Sequence, residues 1–242
     1  MLQVFFDLET AGLKKNPEMT QIAACSKDEI YNAYVIPSRG IPKRISDITG
    51  LQVIGVEMFY GYTLLKTMSL RVALENFLTF LHQQGNNVIL VAHNGYRFDF
   101  PILLRTLSRL YLLEEFKTII SGFSDTLHIF HKVLPVHASS ESAEVAHNAI
   151  TDVNTLQKLV AKIKIANSII DNLTQSTSDF LRNEALKTTH STNKTSLEFL
   201  KDCISSNMLS RIAKASINRN ILIDVYKAKG PKRIEVMLSE DV

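Results

Sequence analysis

Leu2-Gln3-Val4-Phe5-Phe6-Asp7-Leu8-Glu9-Thr10 is a short apolar run that ends with two acidic residues separated by one position. Alternate residues of an extended strand point to the same face, so Asp7 and Glu9 present two carboxylates side by side while Leu8 points to a core. Two like charges about 5 to 7 Å apart repel each other unless a cation lies between them. Hard divalent cations such as Mg²⁺ take such oxygen ligands. The stretch therefore predicts a strand that carries metal ligands, and the alternative is a strand that ends in a solvated acidic turn.

The segments on either side of this strand predict an α/β fold with a mixed sheet of about five strands flanked by helices. Apolar patterns predict strands at residues 2–6, 19–25, 30–36, 88–91 and 119–123. Helical spacing predicts long helices at residues 70–81, about 98–113 and 150–163. Residues 53–66 are apolar and aromatic with two glycines, and their pattern favours no single structure.

Composition divides the chain into three parts. Residues 1–170 hold the predicted sheet, whereas residues 171–195 are rich in Ser, Thr, Asn and Gln and predict a polar linker. Residues 196–242 recover helical spacing in short pieces and predict a small all-helical C-terminal domain. A chain of 242 residues with 45% hydrophobic content is long enough to bury a full core in such an arrangement.

The charge and cysteine content exclude several classes of protein. A net charge of +3 permits a polyanionic partner without requiring one. Cys25 and Cys203 are far apart and show no zinc-ligand spacing, so the sequence favours neither a disulfide framework nor a zinc site. No apolar leader precedes the first strand and no apolar run approaches about 18 residues. We therefore expect an intracellular protein of the nucleus or cytoplasm, neither secreted nor inserted into a membrane.

Three further residues carry candidate chemistry. Asp99 follows the predicted strand at residues 88–91 and, taken alone, is typical of a helix start. His147 and Asp152 are five residues apart, which separates them by about 140° around a helix. They converge better if Asn148 is the N-cap, because His147 then lies on the preceding loop, where a mobile imidazole suits proton transfer. Asp125, which precedes a short helix, is most simply its N-cap.

Asp7, Glu9, Asp99, His147 and Asp152, in this order and context, resemble the DEDDh family of 3′→5′ exonucleases, the DnaQ-like group of the ribonuclease H-like superfamily. The motifs that carry the resemblance are Asp7-Leu8-Glu9-Thr10-Ala11-Gly12-Leu13, residues 93–101 and residues 147–152. Within the family, residues 146–157 and the helical tail look most like the exonuclease-like domain of the promyelocytic leukaemia protein and its relatives. The Trex-type exonucleases are next, because Ala92-His93-Asn94-Gly95 and Asp99-Phe100-Pro101 look like theirs.

The resemblance implies a ribonuclease H-like fold with a helical C-terminal appendage and a metal-dependent 3′→5′ exonuclease that releases nucleoside 5′-monophosphates. Asp7, Glu9, Asp99 and Asp152 would hold two Mg²⁺ ions, which Mn²⁺ can replace, and His147 would take the proton from the attacking water. Substrate contacts would come from Thr10, Ala11, Leu13, Asn94 and Tyr96.

The expected substrate is single-stranded or 3′-overhang nucleic acid, with DNA favoured, and residues 196–242 are a candidate site for a protein partner. Two alternatives stay open from the sequence. One is a catalytically silent exonuclease-like module that binds nucleic acid or protein, and the other is a proofreading subunit of a polymerase.

Overall fold

The structure, a computed structural model, describes residues 1–12, 16–133 and 148–240. The strands found among these residues are β1 (Leu2–Thr10), β2 (Met19–Ser26), β3 (Glu29–Val35), β4 (Leu51–Ile54), β5 (Glu57–Tyr60), β6 (Thr63–Leu64), β7 (Thr67–Met68), β8 (Val88–Ala92), β9 (Ile120–Asp125) and β10 (Gln175–Ser176). The helices are α1 (Lys43–Thr49), α2 (Leu70–Gln83), α3 (Asp99–Arg109), α4 (Leu113–Ile119), α5 (Thr126–Val133), α6 (Ala149–Lys162), α7 (Asn167–Leu173), α8 (Thr177–Ser196), α9 (Ser206–Lys214), α10 (Arg219–Lys229) and α11 (Pro231–Glu240). None of the helices within these ranges has both the length and the apolar composition needed to cross a membrane.

The main sheet is mixed and has β1 near its centre. Its strand order is β10-β9-β8-β1-β2-β3-β7, in which β1, β8 and β9 are parallel while β2 is antiparallel to β1 and β3. The predicted α/β class with a mixed sheet is confirmed. The five predicted strands are all present, and two-residue strands, β7 and β10, extend the sheet at its edges.

The two faces of the sheet are covered by different helices because alternate residues of β1 point in opposite directions. Phe6 stacks on Phe77 of α2 and on Phe100 of α3, with ring centroids 5.3 Å and 6.5 Å apart. Phe5 points to the other face, where it joins the core formed with Val153 and other apolar residues of α6. Asp7 and Glu9 share the face of Phe5, so the acidic residues of β1 lie on the α6 side of the sheet.

Residues 53–66, which the sequence left unassigned, complete a second, three-stranded antiparallel sheet of order β4-β5-β6. Two glycines make its turns possible, because Gly55 and Gly61 have positive φ angles of 63° and 59°. These strands are two to four residues long and many of their side chains are exposed. The alternation of apolar and polar residues that identifies a strand is therefore too short to be recognised.

Two predicted segments differ from the structure. The single helix predicted at about 98–113 is interrupted after Arg109, because Tyr111 adopts a φ of 60° and the chain restarts as α4. The polar linker predicted at 171–195 is replaced by the end of α7, by β10 and by most of α8. Polar and apolar contacts both hold α8: Asn193 donates to the Ala213 carbonyl at 3.3 Å, Asp179 and Arg182 pair along the helix surface, and Phe180 is buried.

The chain divides into two compact units, Met1–Ser178 and Asp179–Val242. The first unit contains both sheets and the predicted acidic residues. The second unit is helical in its described residues and has a core of its own, formed by Leu197, Leu209, Ile212, Ala213, Ile217, Leu222 and Met237.

Candidate metal centre

The two halves of β1 have different neighbours. Leu2 to Phe5 pair with β8, whereas Phe5 to Thr10 pair with β2. The second half of β1 therefore extends beyond its pairing with β8. In this half a side chain, and not β8, accepts a hydrogen bond from a backbone N–H of β1. The Leu8 N–H donates a hydrogen bond of 3.1 Å to Oδ1 of Asp99, whose side chain is buried at the start of α3. Asp99 thus lies beside the strand that carries Asp7 and Glu9.

Helix α6 brings the third acidic residue to the same place. Asn148 is its N-cap, because its side chain accepts a hydrogen bond from the Ile150 N–H, and this confirms the predicted start of the helix. Val153 and other apolar residues of α6 pack on β1 and β2 and leave Asp152 in the first turn facing β1. Asp7, Glu9 and Asp152 each offer a carboxylate oxygen within 4.8 Å of the others. We call these three residues the acidic cluster.

The acidic cluster is electrostatically costly without a cation. Burial, Asp99 and the two other members of the cluster hold the pKa of Asp7 well above its ordinary value. Burial and the charge of Asp152 raise the pKa of Glu9 to about 7. Burial also raises the pKa of Asp99 to about 8, although the hydrogen bond from the Leu8 N–H opposes this rise. Burial is the largest cause of all three shifts and neighbouring carboxylates add to it, so the ionised forms are unfavourable at this position.

An oxygen-binding divalent cation fits these residues. The donors are carboxylate oxygens, which Mg²⁺ and Mn²⁺ prefer, and they are already close enough to share one ion. Among the residues that the structure describes, no ion pair involves Asp7 or Glu9. The cluster therefore has the donor set of a metal centre, and the raised pKa values are the expected cost of keeping it preformed.

Gln21 of β2, which belongs to none of the sequence motifs, connects the strand beside Glu9 to the start of α6. Its side chain is fully buried and lies one strand away from Glu9, its register partner on β1. Its amide nitrogen donates to Oδ1 of Asn148 at 3.2 Å, and its amide oxygen accepts from the Ala149 N–H at 3.2 Å. A polar residue in the middle of a buried strand is the signal that could have identified it, since buried polar groups need partners.

Asp125, at the end of β9, holds the loop that follows β8. Its carboxylate accepts hydrogen bonds from the backbone N–H groups of Asn94 at 2.8 Å, Tyr96 at 3.1 Å and Leu127 at 3.0 Å. The bond from Leu127 confirms the predicted helix cap, and the other two were not foreseen. Between Asn94 and Tyr96 a side chain at Gly95 would clash, because a Cβ there would lie 2.6 Å from the Cβ of Ala92.

The predicted substrate residues lie near the same edge but mostly bond within the chain. The buried Thr10 hydroxyl donates to the Gly12 carbonyl at 2.8 Å, and the Ala11 N–H donates to the Glu18 carbonyl at 2.9 Å. The Tyr96 hydroxyl donates to the Phe123 carbonyl at 2.8 Å. His147 and Leu13 lie outside the described residues.

Comparison with known proteins identifies the family. A family model for the Exuperantia RNase H-like domain matches residues 1–150, more than half of the chain. The chain belongs to this family. Two relatives of the Exuperantia family are maternal protein exuperantia from Drosophila virilis, 22% identical over 181 residues, and from Drosophila melanogaster, 22% identical over 136 residues. These alignments cover 70% and 51% of this chain but 35% and 26% of the relatives, so the chain matches about a third of their length or less.

Solved structures of E. coli exonuclease I are also similar to this member of the Exuperantia family. The complex with a dA16 oligonucleotide is 18% identical with a TM-score of 0.49, and the zinc-bound complex with single-stranded DNA is 17% identical with a TM-score of 0.47. Each match covers 82% of this chain and 45% or 44% of the other. The ribonuclease H-like fold predicted from the sequence is confirmed by the family match.

Proposed function

We propose that this chain is a metal-dependent 3′→5′ exonuclease that hydrolyses phosphodiester bonds of nucleic acid and releases nucleoside 5′-monophosphates. The observation that carries the proposal is the convergence of Asp7, Glu9 and Asp152 within 4.8 Å from two segments far apart in the sequence. Asp99 adds a fourth carboxylate, which is buried, beside the same strand. Such a costly arrangement favours a functional site over a structural one.

The chain's own residues supply the other requirements of the reaction. Asp7, Glu9 and Asp152 would hold the metal, and Asp99 beside them would support it. When bound, Mg²⁺ or Mn²⁺ would neutralise charge on the attacking and leaving oxygens. His147 would accept the proton of the attacking water, since an unperturbed histidine, with a pKa of about 6.5, is a good base at neutral pH. No covalent nucleophile is required.

The position of the centre in the sheet supports a ligand-binding site. The carboxyl ends of β1, β8 and β9 meet at one edge, which is where open α/β sheets bind ligands. We propose single-stranded or 3′-overhang DNA as the preferred substrate, on the resemblance to the DEDDh exonucleases. Closer placement with the promyelocytic leukaemia or Trex-type exonucleases, an intracellular location and a protein partner for residues 196–242 stay predictions.

A catalytically silent module is the second candidate, and the substrate-side residues favour it. Thr10, Ala11 and Tyr96 all have hydrogen-bonding groups engaged inside the chain, so these groups serve the fold and are not available to contact a substrate. A proofreading subunit keeps the proposed chemistry and changes only the partner. Binding of a polymerase by residues 196–242 would distinguish it.

Degradation of a 5′-labelled 3′-overhang DNA and a matched RNA, with Mg²⁺ and with EDTA, tests the proposal. We expect stepwise shortening that requires metal and is lost in Asp7→Ala and His147→Ala. Asp28→Ala is the matched control, because Asp28 is an exposed acidic residue of the β2–β3 turn. No shortening of either substrate by folded protein would favour the silent module.

A further inference from the structure

We infer that Gln21 is a positioning residue that sets the distance between Asp152 and the two acidic residues of β1, and so tunes the affinity of the centre for a divalent cation. This inference rests on the proposed metal centre. It concerns a residue that carries no charge and offers no ligand to the cluster.

The first step is the completeness of the hydrogen bonding around Gln21. Its amide nitrogen has two donors, and both are used, by Oδ1 of Asn32 at 2.9 Å and by Oδ1 of Asn148 at 3.2 Å. Its amide oxygen accepts from the Ala149 N–H. The side chain is 0% exposed, so each of these partners replaces water that the folded chain excludes.

The second step is the direction of each bond. Oδ1 of Asn148 already accepts from the Ile150 N–H as the helix cap, which fixes the orientation of the Asn148 amide. Gln21 must therefore present its NH₂ group to Asn148 and its oxygen to Ala149. Only a neutral amide does both at once, since a carboxylate lacks the donor and an ammonium lacks the acceptor.

The third step links this network to Asp152. The Asn148 carbonyl accepts from the Asp152 N–H at 3.0 Å, so Asp152 lies one helical turn beyond the residue that Gln21 holds. Glu9 is the register partner of Gln21 across the β1–β2 ladder. Backbone pairing thus attaches Gln21 to β1, which carries Asp7 and Glu9. Its side chain attaches it to α6, which carries Asp152. Partners that orient metal ligands change metal affinity by about 10- to 100-fold when removed.

The test is Mn²⁺ binding to the full chain, measured by calorimetry and by the loss of the free-ion EPR signal, for wild type and Gln21→Met. Methionine matches glutamine in length and removes the amide. We expect the Kd for Mn²⁺ to rise about 10-fold or more. Asn32→Ala is the matched control, because it removes the partner of Gln21 that does not belong to α6, and its Kd should stay within about 2-fold of wild type.

Two further measurements separate positioning from a general loss of structure. Amide hydrogen exchange in Gln21→Met should speed up in the first turn of α6 and not in β8 or α3, whereas a structural role would affect all three. In an Asp152→Asn background, Gln21→Met should cause little further change in the Mn²⁺ Kd, because its effect acts through Asp152. If Gln21→Met does not fold, Gln21→Glu replaces it in the exchange experiment, and faster exchange confined to the first turn of α6 is again expected.

The outcomes distinguish the two proposals. Absence of Mn²⁺ binding by the wild-type chain would overturn both the metal centre and the role of Gln21. Wild-type binding together with an unchanged Kd in folded Gln21→Met would overturn the role of Gln21 alone. An effect of Gln21→Met that is undiminished in the Asp152→Asn background would also contradict it.

Discussion

Two carboxylate sites, Asp125 and the acidic cluster, lie near the carboxyl ends of the parallel strands, and their surroundings differ. Asp125 is almost fully buried, and three backbone N–H groups donate to it. The acidic cluster of Asp7, Glu9 and Asp152 instead faces other carboxylates, which raise the pKa values of Asp7 and Glu9. Carboxylates near this edge of the sheet therefore serve two purposes. Asp125 holds the fold together, whereas the acidic cluster forms the candidate metal centre.

The difference shows how a structural buried acid can be told from a functional one. A carboxylate that receives three N–H bonds is compensated by the fold and needs no ligand. Asp7 and Glu9, which lie beside other carboxylates and form no ion pair within the described residues, are compensated by a proton or a cation. Substitutions that remove a charge but keep the shape should consequently change the stability of the metal-free chain in opposite directions. Stability should fall at Asp125 and rise at the acidic cluster.

The largest expected effect is on catalysis. Asp7→Asn removes the charge of the central cluster residue, and we expect the rate of 3′-end degradation to fall at least about 1000-fold, or about 4 kcal/mol of transition-state stabilisation. Single-turnover degradation of labelled 3′-overhang DNA measures it. Asp28→Asn serves as the control on an exposed turn. An Asp7→Asn protein as active as the control would contradict the assignment of the metal centre.

The next effect is on stability at the compensated site. Asp125→Asn keeps one oxygen but turns an NH₂ group toward the Tyr96 N–H, which then lacks an acceptor. We expect the free energy of unfolding of the first unit to fall by about 2 kcal/mol. Urea denaturation followed by hydrogen exchange in β8 and β9 measures it. An unchanged free energy of unfolding would show that the three N–H bonds do not compensate Asp125.

Comparison of these two sites also shows what the sequence could reveal. Alternation in residues 2–10 was enough to pair Asp7 with Glu9 on one face, and the pattern at residues 148–163 was enough to place the start of α6 after Asn148. These are local patterns with fixed periods, and the structure confirms both placements. The roles proposed for the same residues, and for His147, stay predictions.

The features that the sequence did not reveal depend on contacts between distant residues. Gln21 lies 127 residues before Asn148, and a polar residue within a buried strand indicates that a partner exists but not which residue it is. The polar helix α8 was interpreted as a linker because its contacts, such as that of Asn193 with the Ala213 carbonyl, carry no apolar period. The small sheet of β4, β5 and β6 escaped prediction because its strands are shorter than the alternation that identifies a strand.

A smaller effect is the pH dependence of stability in EDTA. The pKa of Glu9 is raised to about 7 and that of Asp99 to about 8, so the folded chain holds these protons more tightly than the unfolded chain. Their contribution to stability is complete below the unfolded pKa values and is lost as the pH rises through the folded ones. We expect the Tm of the metal-free chain to fall between about pH 5 and about pH 9.

Mg²⁺ should oppose this fall, because a bound cation replaces the protons, and the gain in Tm from Mg²⁺ should increase with pH. Glu9→Gln removes one titrating group and should make the metal-free Tm less dependent on pH. A metal-free Tm that rises over the same interval would contradict the raised pKa values.

The smallest expected effect is that of removing the Tyr96 hydroxyl. It tests whether Tyr96 belongs to the Asp125 site or contacts the substrate. Its N–H bonds to Asp125 and its hydroxyl to the Phe123 carbonyl, which places it with the compensated site. Tyr96→Phe keeps the ring and removes the hydroxyl, so we expect a loss of about 1 kcal/mol in the free energy of unfolding. The KM for 3′-overhang DNA should change by less than about 2-fold, since a hydroxyl that bonds within the chain is not free to bind substrate. A KM that rises about 5-fold with unchanged stability would instead assign the hydroxyl to the substrate, as the DEDDh resemblance predicts.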